Sequence, residues 1–207
     1  MKYYLNFIIF LFSSLLAFSQ STNKETSLSV EFGRNIHGSG DIPGFQFGLR
    51  YNQSLNKRFD LIIAAEGNIN DNEARPFTWE DGRGNTFDGT IHNVIAGFQL
   101  NVGVGLNIVN STKHKFGFNP SIHGRYQATS LFDALIIDYP ILTGLDFPIR
   151  FEIREQPGRT LALGWSGRLY YHYRFSSKHL AGLNVGIQND TNGDTIMLAT
   201  LSFGWRL

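Results

Sequence analysis

From Ser27 onward the chain alternates apolar and polar residues with a period of two, stretch after stretch. SLSVEFGRNI sets Leu28, Val30, Phe32 and Ile36 against Ser29, Glu31, Gly33 and Asn35. GFQFGLRYN repeats the pattern, with Phe45, Phe47, Leu49 and Tyr51 against Gln46, Gly48, Arg50 and Asn52. Phe59, Leu61, Ile63, Ala65 and Ile69 oppose Asp60, Glu66, Asn68 and Asn70. The run over 91–109 presents Val94, Ala96, Phe98, Leu100, Val102, Val104, Leu106 and Ile108 against Gln99, Asn101, Gly103, Gly105 and Asn107. Phe116, Phe118, Ile122 and Tyr126 then oppose Asn119, Ser121, His123, Arg125 and Gln127. LALGWSGRLYYHYRF sets Leu161, Leu163, Trp165, Leu169, Tyr171, Tyr173 and Phe175 against Ser166, Arg168, His172 and Arg174. Leu183, Val185 and Ile187 oppose Asn184, Gly186 and Gln188, and IMLATLSFGWRL brings Met197, Ala199, Leu201, Phe203, Trp205 and Leu207 to one face.

A two-residue period puts alternate side chains on opposite faces of a strand, so the pattern predicts eight strands. Many run nine residues or more, the length a tilted strand needs to cross a bilayer, whereas ordinary strands average about five or six. Arg34 is the only clear charge on the eight apolar faces, near a strand end where a long side chain reaches the interface. A charge at mid-depth on a lipid face costs about 2–4 kcal/mol, so such sparseness is what a membrane wall requires.

The connections alternate in length. SLNKR, NSTKHK and SSKH are short and basic. HGSGDIP, DNEARPFTWEDGRGNTFDG, the stretch 130–160 and NDTNGDT are longer. Short turns at one end and long loops at the other fit an up-and-down barrel with both termini on the short-turn side. Phe59, Phe116, Phe118 and Tyr171 flank that side, as do Tyr173, Phe175, Phe203 and Trp205, giving a predicted periplasmic aromatic girdle. One region departs from the count. GLDFPIRFEIRE alternates Leu145, Phe147, Ile149, Phe151 and Ile153 with Asp146, Arg150, Glu152 and Arg154. It forms either one more hairpin of the wall, making ten strands, or a β-hairpin projecting above eight.

Composition sharpens the picture. MKYYLNFIIFLFSSLLAFSQ reads as a secretory signal peptide over 1–19, leaving one barrel domain over 20–207. Without Lys2 the basic and acidic residues balance at 17 each, which argues against nucleic-acid binding. The sequence has no cysteine, so disulfides and a lipid anchor are excluded and the fold rests on burial and hydrogen bonding.

These features resemble the small outer-membrane β-barrel proteins of Gram-negative bacteria, the OmpA/OmpX-like class. The resemblance is architectural and covers essentially the whole exported chain. It implies an all-β, antiparallel up-and-down transmembrane β-barrel of eight strands, with ten as the alternative, in the outer membrane. It also implies that Leu201, Phe203, Trp205 and Leu207 form a C-terminal signal for the barrel-assembly machinery, with Leu207 where the class usually has an aromatic. A soluble lipocalin-like barrel is the rival fold.

The inward face carries the candidate chemistry. Glu31, Arg50, Glu66, His123, Arg125, Arg168, His172 and Arg174 are the predicted lumen polar network. An eight-stranded barrel is just wide enough for its side chains to fill, so such charges must pair. Gly97, Gly103 and Gly105 would leave room for the arginines. The expected role is non-enzymatic, structural or surface-loop interaction; a narrow Arg-lined porin-like channel favouring anions is the alternative. A lipid-modifying enzyme resting on Ser121 and His123 is a third reading, lacking an orienting partner. Asp190, Asn192 and Asp194 alternate as in a calcium loop, but the distal Glu is missing, so they read as a turn. His114 and His179 read as solvated turn residues. No cofactor, metal or nucleic acid is expected. The expected partners are outer-membrane lipids and lipopolysaccharide, the assembly machinery and an extracellular ligand of the long loops, for a monomeric barrel.

Overall fold

The computed structural model describes residues 25–38, 41–80, 84, 86–138 and 150–207. The predicted leader, and Leu145, Phe147 and Ile149, lie outside them. Within them run β1 (Thr26–His37), β2 (Ile42–Ser54), β3 (Phe59–Arg75), β4 (Thr78–Glu80), β5 (Thr86–Asp88) and β6 (Ile91–Asn110). β7 (His114–Asp138), β8 (Arg150–Arg174), β9 (His179–Asp190) and β10 (Thr195–Arg206) follow. Eight of these close into a ring in the order β1, β10, β9, β8, β7, β6, β3, β2, every neighbouring pair antiparallel. Leu28 pairs with Trp205 and Ile36 with Met197 where the last strand meets the first.

Two stretches expected as loops carry strand. β3 continues to Arg75, and the loop beyond it folds a small β4–β5 hairpin of its own. Thr90 closes that hairpin; its hydroxyl and its N–H bond to Asp88 and hold the carboxyl below its ordinary value. The stretch 130–160 is strand up to Asp138 and from Arg150. β6 follows β7 only as far as Ser130, and β9 follows β8 only from Gly164. The outer parts of β7 and β8 therefore pair with each other alone, as a projecting arm. Residues 131–138 carry β7 about 25 Å along the strand past its last ladder pair with β6, at about 3.3 Å per residue. Of the two arrangements open from sequence, the projecting hairpin is the one formed. Arg154 and Glu152 pair with each other there (2.9 Å), away from the lumen.

Side chains follow the period. Among the described residues, 36 large apolar or aromatic side chains are exposed, while the buried residues comprise 30 polar or charged and ten hydrophobic ones. That is the reverse of a water-soluble barrel, which buries its apolar face. It removes the lipocalin-like rival. From Trp205 to Met197 the outward apolar row of β10 extends about 26 Å along the strand, about 20 Å in height at a tilt of about 40°. Arg34 lies on this outer face, its guanidinium 4.4 Å from the centre of the Phe45 ring. An aromatic face is where a cation at the margin of an apolar band is best accommodated.

The three short turns share one local device. Asn56 Oδ1 accepts the N–H groups of Arg58 (2.8 Å) and Phe59 (2.9 Å). Ser111 Oγ accepts the N–H of His114 (3.0 Å), and Ser176 Oγ those of Lys178 (3.2 Å) and His179 (3.0 Å). A short polar side chain that bonds the backbone two or three residues on is what lets each chain reversal stay tight.

Candidate functional site

The lumen is filled in three tiers. In the middle tier Glu31 on β1, Arg50 on β2, Glu66 on β3 and Arg168 on β8 form an alternating ring of charges, all buried. Arg50 Nε lies 2.5 Å from Glu31 Oε1, and its Nη2 lies 3.7 Å from Glu66 Oε1. Arg168 grips both oxygens of Glu66, with Nη2 to Oε2 at 2.6 Å, and reaches Glu31 at 3.9 Å. Gln46 and Gln99 donate to Glu66 Oε2 at 2.9 and 2.7 Å. Asn184 donates to Glu31 Oε1 at 3.1 Å, and Gln99 and Gln188 exchange hydrogen bonds at 3.0 and 3.2 Å. Side chains from four other strands thus meet on two carboxylates, the saturation that a buried charge requires.

Glycine spacing makes the room. A Cβ at Gly186 would stand 2.6 Å from Arg168 Cγ, and one at Gly97 3.3 Å from Arg125 Nε. Gly103 and Gly105, expected to accommodate arginines as well, border Pro120 and Ser121, and Ile62 and Tyr170, instead.

At the long-loop end, Arg125 Nη1 donates to Asp190 Oδ2 (3.1 Å) and its Nη2 lies 2.7 Å from His37 Nε2. A guanidinium only donates, so His37 Nε2 is the acceptor. Gln127 joins the group through Asp194 Oδ2 (3.1 Å). Beside it Asn68, Asn70 and Asn35 form a ladder at 2.7 and 2.5 Å. At the short-turn end, Lys115 Nζ meets Asp60 Oδ2 at 2.5 Å and Ser54 bonds the other Asp60 oxygen at 2.9 Å. Arg174 bonds the Ser111 carbonyl (2.7 Å) and Glu25 (3.0 Å). His172 stacks on Tyr170, with ring centres 5.4 Å apart.

All eight residues of the predicted network are therefore buried in the lumen. Not all of them join a bond. Among the described residues neither ring nitrogen of His123 has a hydrogen-bond partner, and Ser121 bonds Ser166 (2.6 Å). The structure adds Asp60, Lys115, Asp190, Asp194 and His37. The buried charges of the lumen are then five acids (Glu31, Asp60, Glu66, Asp190, Asp194) and five bases (Arg50, Lys115, Arg125, Arg168, Arg174). The Arg excess that motivated an anion-favouring path is absent among the described residues. The Asp190–Asp194 segment is a turn, with Asn192 N–H on Asp190 Oδ1 (2.9 Å) and Gly193 at φ 81°, and its two acids point inward.

On the outside, seven girdle aromatics are exposed and Phe116 is half-buried. His114 and His179 belong with them. His114 bonds the Tyr171 hydroxyl (2.8 Å) and packs on Tyr173, and His179 stacks on Phe175 at 5.8 Å beside Phe203. Phe203 meets Trp205 edge-on at 5.6 Å.

A closed ring of eight antiparallel strands, apolar outside and ion-paired inside, defines an integral membrane β-barrel of the outer-membrane type. The three short turns lie at one end of the barrel and the arm at the other. The fold is similar to that of Ail, the attachment invasion locus protein of Yersinia pestis, at TM-score 0.54 and 10% identity, covering 90% of this chain and 100% of that one. OprG from Pseudomonas aeruginosa matches at TM-score 0.48 and 9% identity over 92% and 98% of the two chains. Neisserial surface protein A matches at 0.46 and 12% over 89% and 96%. No family model and no curated protein matches the sequence.

Proposed function

We propose that the chain is a non-enzymatic, monomeric envelope protein: a plugged barrel that anchors in the outer membrane and presents its arm and long loops to a surface partner. The charge balance of the lumen carries this reading. Five acids and five bases are buried across the ring, and the middle tier is tied together from opposite walls. A path for ions would have to break pairs whose charges are almost fully withdrawn from water. The placement of Ser121 and His123 supports the absence of catalysis, because the hydroxyl is engaged by Ser166 and no nucleophile–base pair forms between them. Export by a leader over 1–19 and assembly through Leu201, Phe203, Trp205 and Leu207 complete the proposal. Purified protein inserted into planar lipid bilayers tests the plug. Silent membranes are expected, and a steady current proportional to the number of inserted barrels would refute it.

A further inference from the structure

We infer that the outer wall at the β9–β10–β1 seam holds one anionic phospholipid of the periplasmic leaflet. This rests on the membrane-spanning reading above. The inward and outward rows of β10 alternate strictly, so the outer surface here is shaped by alternate residues of three strands. Ala181 on β9 pairs with Phe203 on β10, which pairs with Val30 on β1; one row deeper Leu201 pairs with Phe32. The small Ala181 side chain between larger neighbours leaves an apolar groove of about 460 Å³ walled by Val30, Phe32, Leu201 and Phe203. That is within the roughly 300–1,000 Å³ range of small-ligand pockets.

Two residues nearer the periplasm the same strands carry His179 paired with Trp205, and Trp205 paired with Leu28. The turn beyond brings Lys178, an exposed cation at this rim, whose carbonyl accepts the Arg206 N–H at 2.8 Å. Glu25 is a nearby acid, and its Oε1 is shared between Arg206 and Arg174, each at 3.0 Å. Arg206 and the lumen-facing Arg174 are thus engaged by Glu25, and the exposed Lys178, on a turn without an acid, leaves this rim positive. The other two short turns add Lys57, Arg58 and Lys113 and no acid. An apolar slot that begins on the membrane side of an aromatic row and a cationic rim matches an acyl chain whose phosphate lies at that rim. An anionic headgroup gains from the uncompensated charge, whereas a zwitterionic one does not.

The test uses the full-length barrel in micelles containing equal phosphatidylglycerol and phosphatidylcholine, with bound lipid read by native mass spectrometry. Wild type should retain phosphatidylglycerol over phosphatidylcholine by about fivefold, the effect of roughly one surface cation. Lys178→Glu should abolish that preference and Lys178→Arg should keep it. Ala181→Trp should lose bound lipid of both kinds, with Ala181→Leu in its place if the Trp variant does not fold. Lys113→Glu, across the ring, should behave as wild type. Equal retention of both lipids by wild type, or an equal loss from Lys113→Glu, would overturn the site, as would unchanged retention in Lys178→Glu. Failure of the wild-type barrel to insert into vesicles would instead refute the membrane-spanning reading itself.

Discussion

Replacing Glu66 by Gln keeps the shape of the middle tier and removes one of its two negative charges. Arg168 then faces an amide where it had gripped a carboxylate, and its next acid, Glu31, stands 3.9 Å away and is already engaged by Arg50 at 2.5 Å. Both Arg168 and Glu66 are within 2% of full burial, so the value of an exposed pair, about 0–1 kcal/mol, does not apply. Breaking a buried pair by removing one partner costs about 3–5 kcal/mol. The isosteric change belongs at the lower end, about 3 kcal/mol, which is about a hundredfold in the folding equilibrium. Arg168→Met should cost a similar amount by stranding Glu66. The double variant removes both charges and should cost less than the sum of the two single changes by about 2 kcal/mol. Urea-dependent folding into lipid vesicles, followed by tryptophan fluorescence, measures all three. Additive effects, with coupling below about 0.5 kcal/mol, would refute the claim that these charges act as a pair.

Gly186→Val should destabilise the barrel by about 1–3 kcal/mol, since even the first added carbon falls 2.6 Å from Arg168 Cγ and 2.6 Å from the Gly167 carbonyl oxygen; the same folding titration reads it. Leu201→Arg places a cation on the lipid face and should cost about 2–4 kcal/mol if that row lies near mid-depth, whereas Ile153→Arg on the projecting arm should be near neutral; equal costs would contradict the assigned membrane boundary. Replacing 132–155 by an Asn-Gly turn should leave the heat-dependent gel mobility of the barrel intact, because β6 and β9 make no ladder with the removed residues.

The wall was legible because its solvent is lipid. Leu28 to Ile36 and Met197 to Trp205 alternate cleanly, since every outward position must be apolar and every inward one must pack in a polar lumen. The arm was harder to read. Outside the bilayer that demand lapses, and the register shift between Phe132 and Ala134 interrupts the period where the strand leaves the ring. The lumen was legible wherever a charge sat inside a long alternating run, as with Glu31, Glu66 and Arg168. Asp190 and Asp194 escaped because they also serve a tight turn, whose local chemistry accounts for Asp and Asn without reference to Arg125 on a strand 65 residues away. Lys115 escaped beside Lys113 and His114, since a basic cluster at a turn carries no mark of which member points inward. His123 shows the converse: its position on the inward face was readable, and its lack of a hydrogen bond was not.

The central claim is that the apolar residues of these strands face lipid and the polar ones a closed interior. The chain has no cysteine, so single cysteines placed successively at 197–203 of β10 can each carry a spin label without background. In lipid vesicles, labels at 197, 199, 201 and 203 should be relaxed strongly by dissolved oxygen and weakly by a water-soluble paramagnetic reagent. Those at 198, 200 and 202 should be shielded from both. Strong relaxation by the water-soluble reagent at the odd positions, or no alternation at all, would contradict the account.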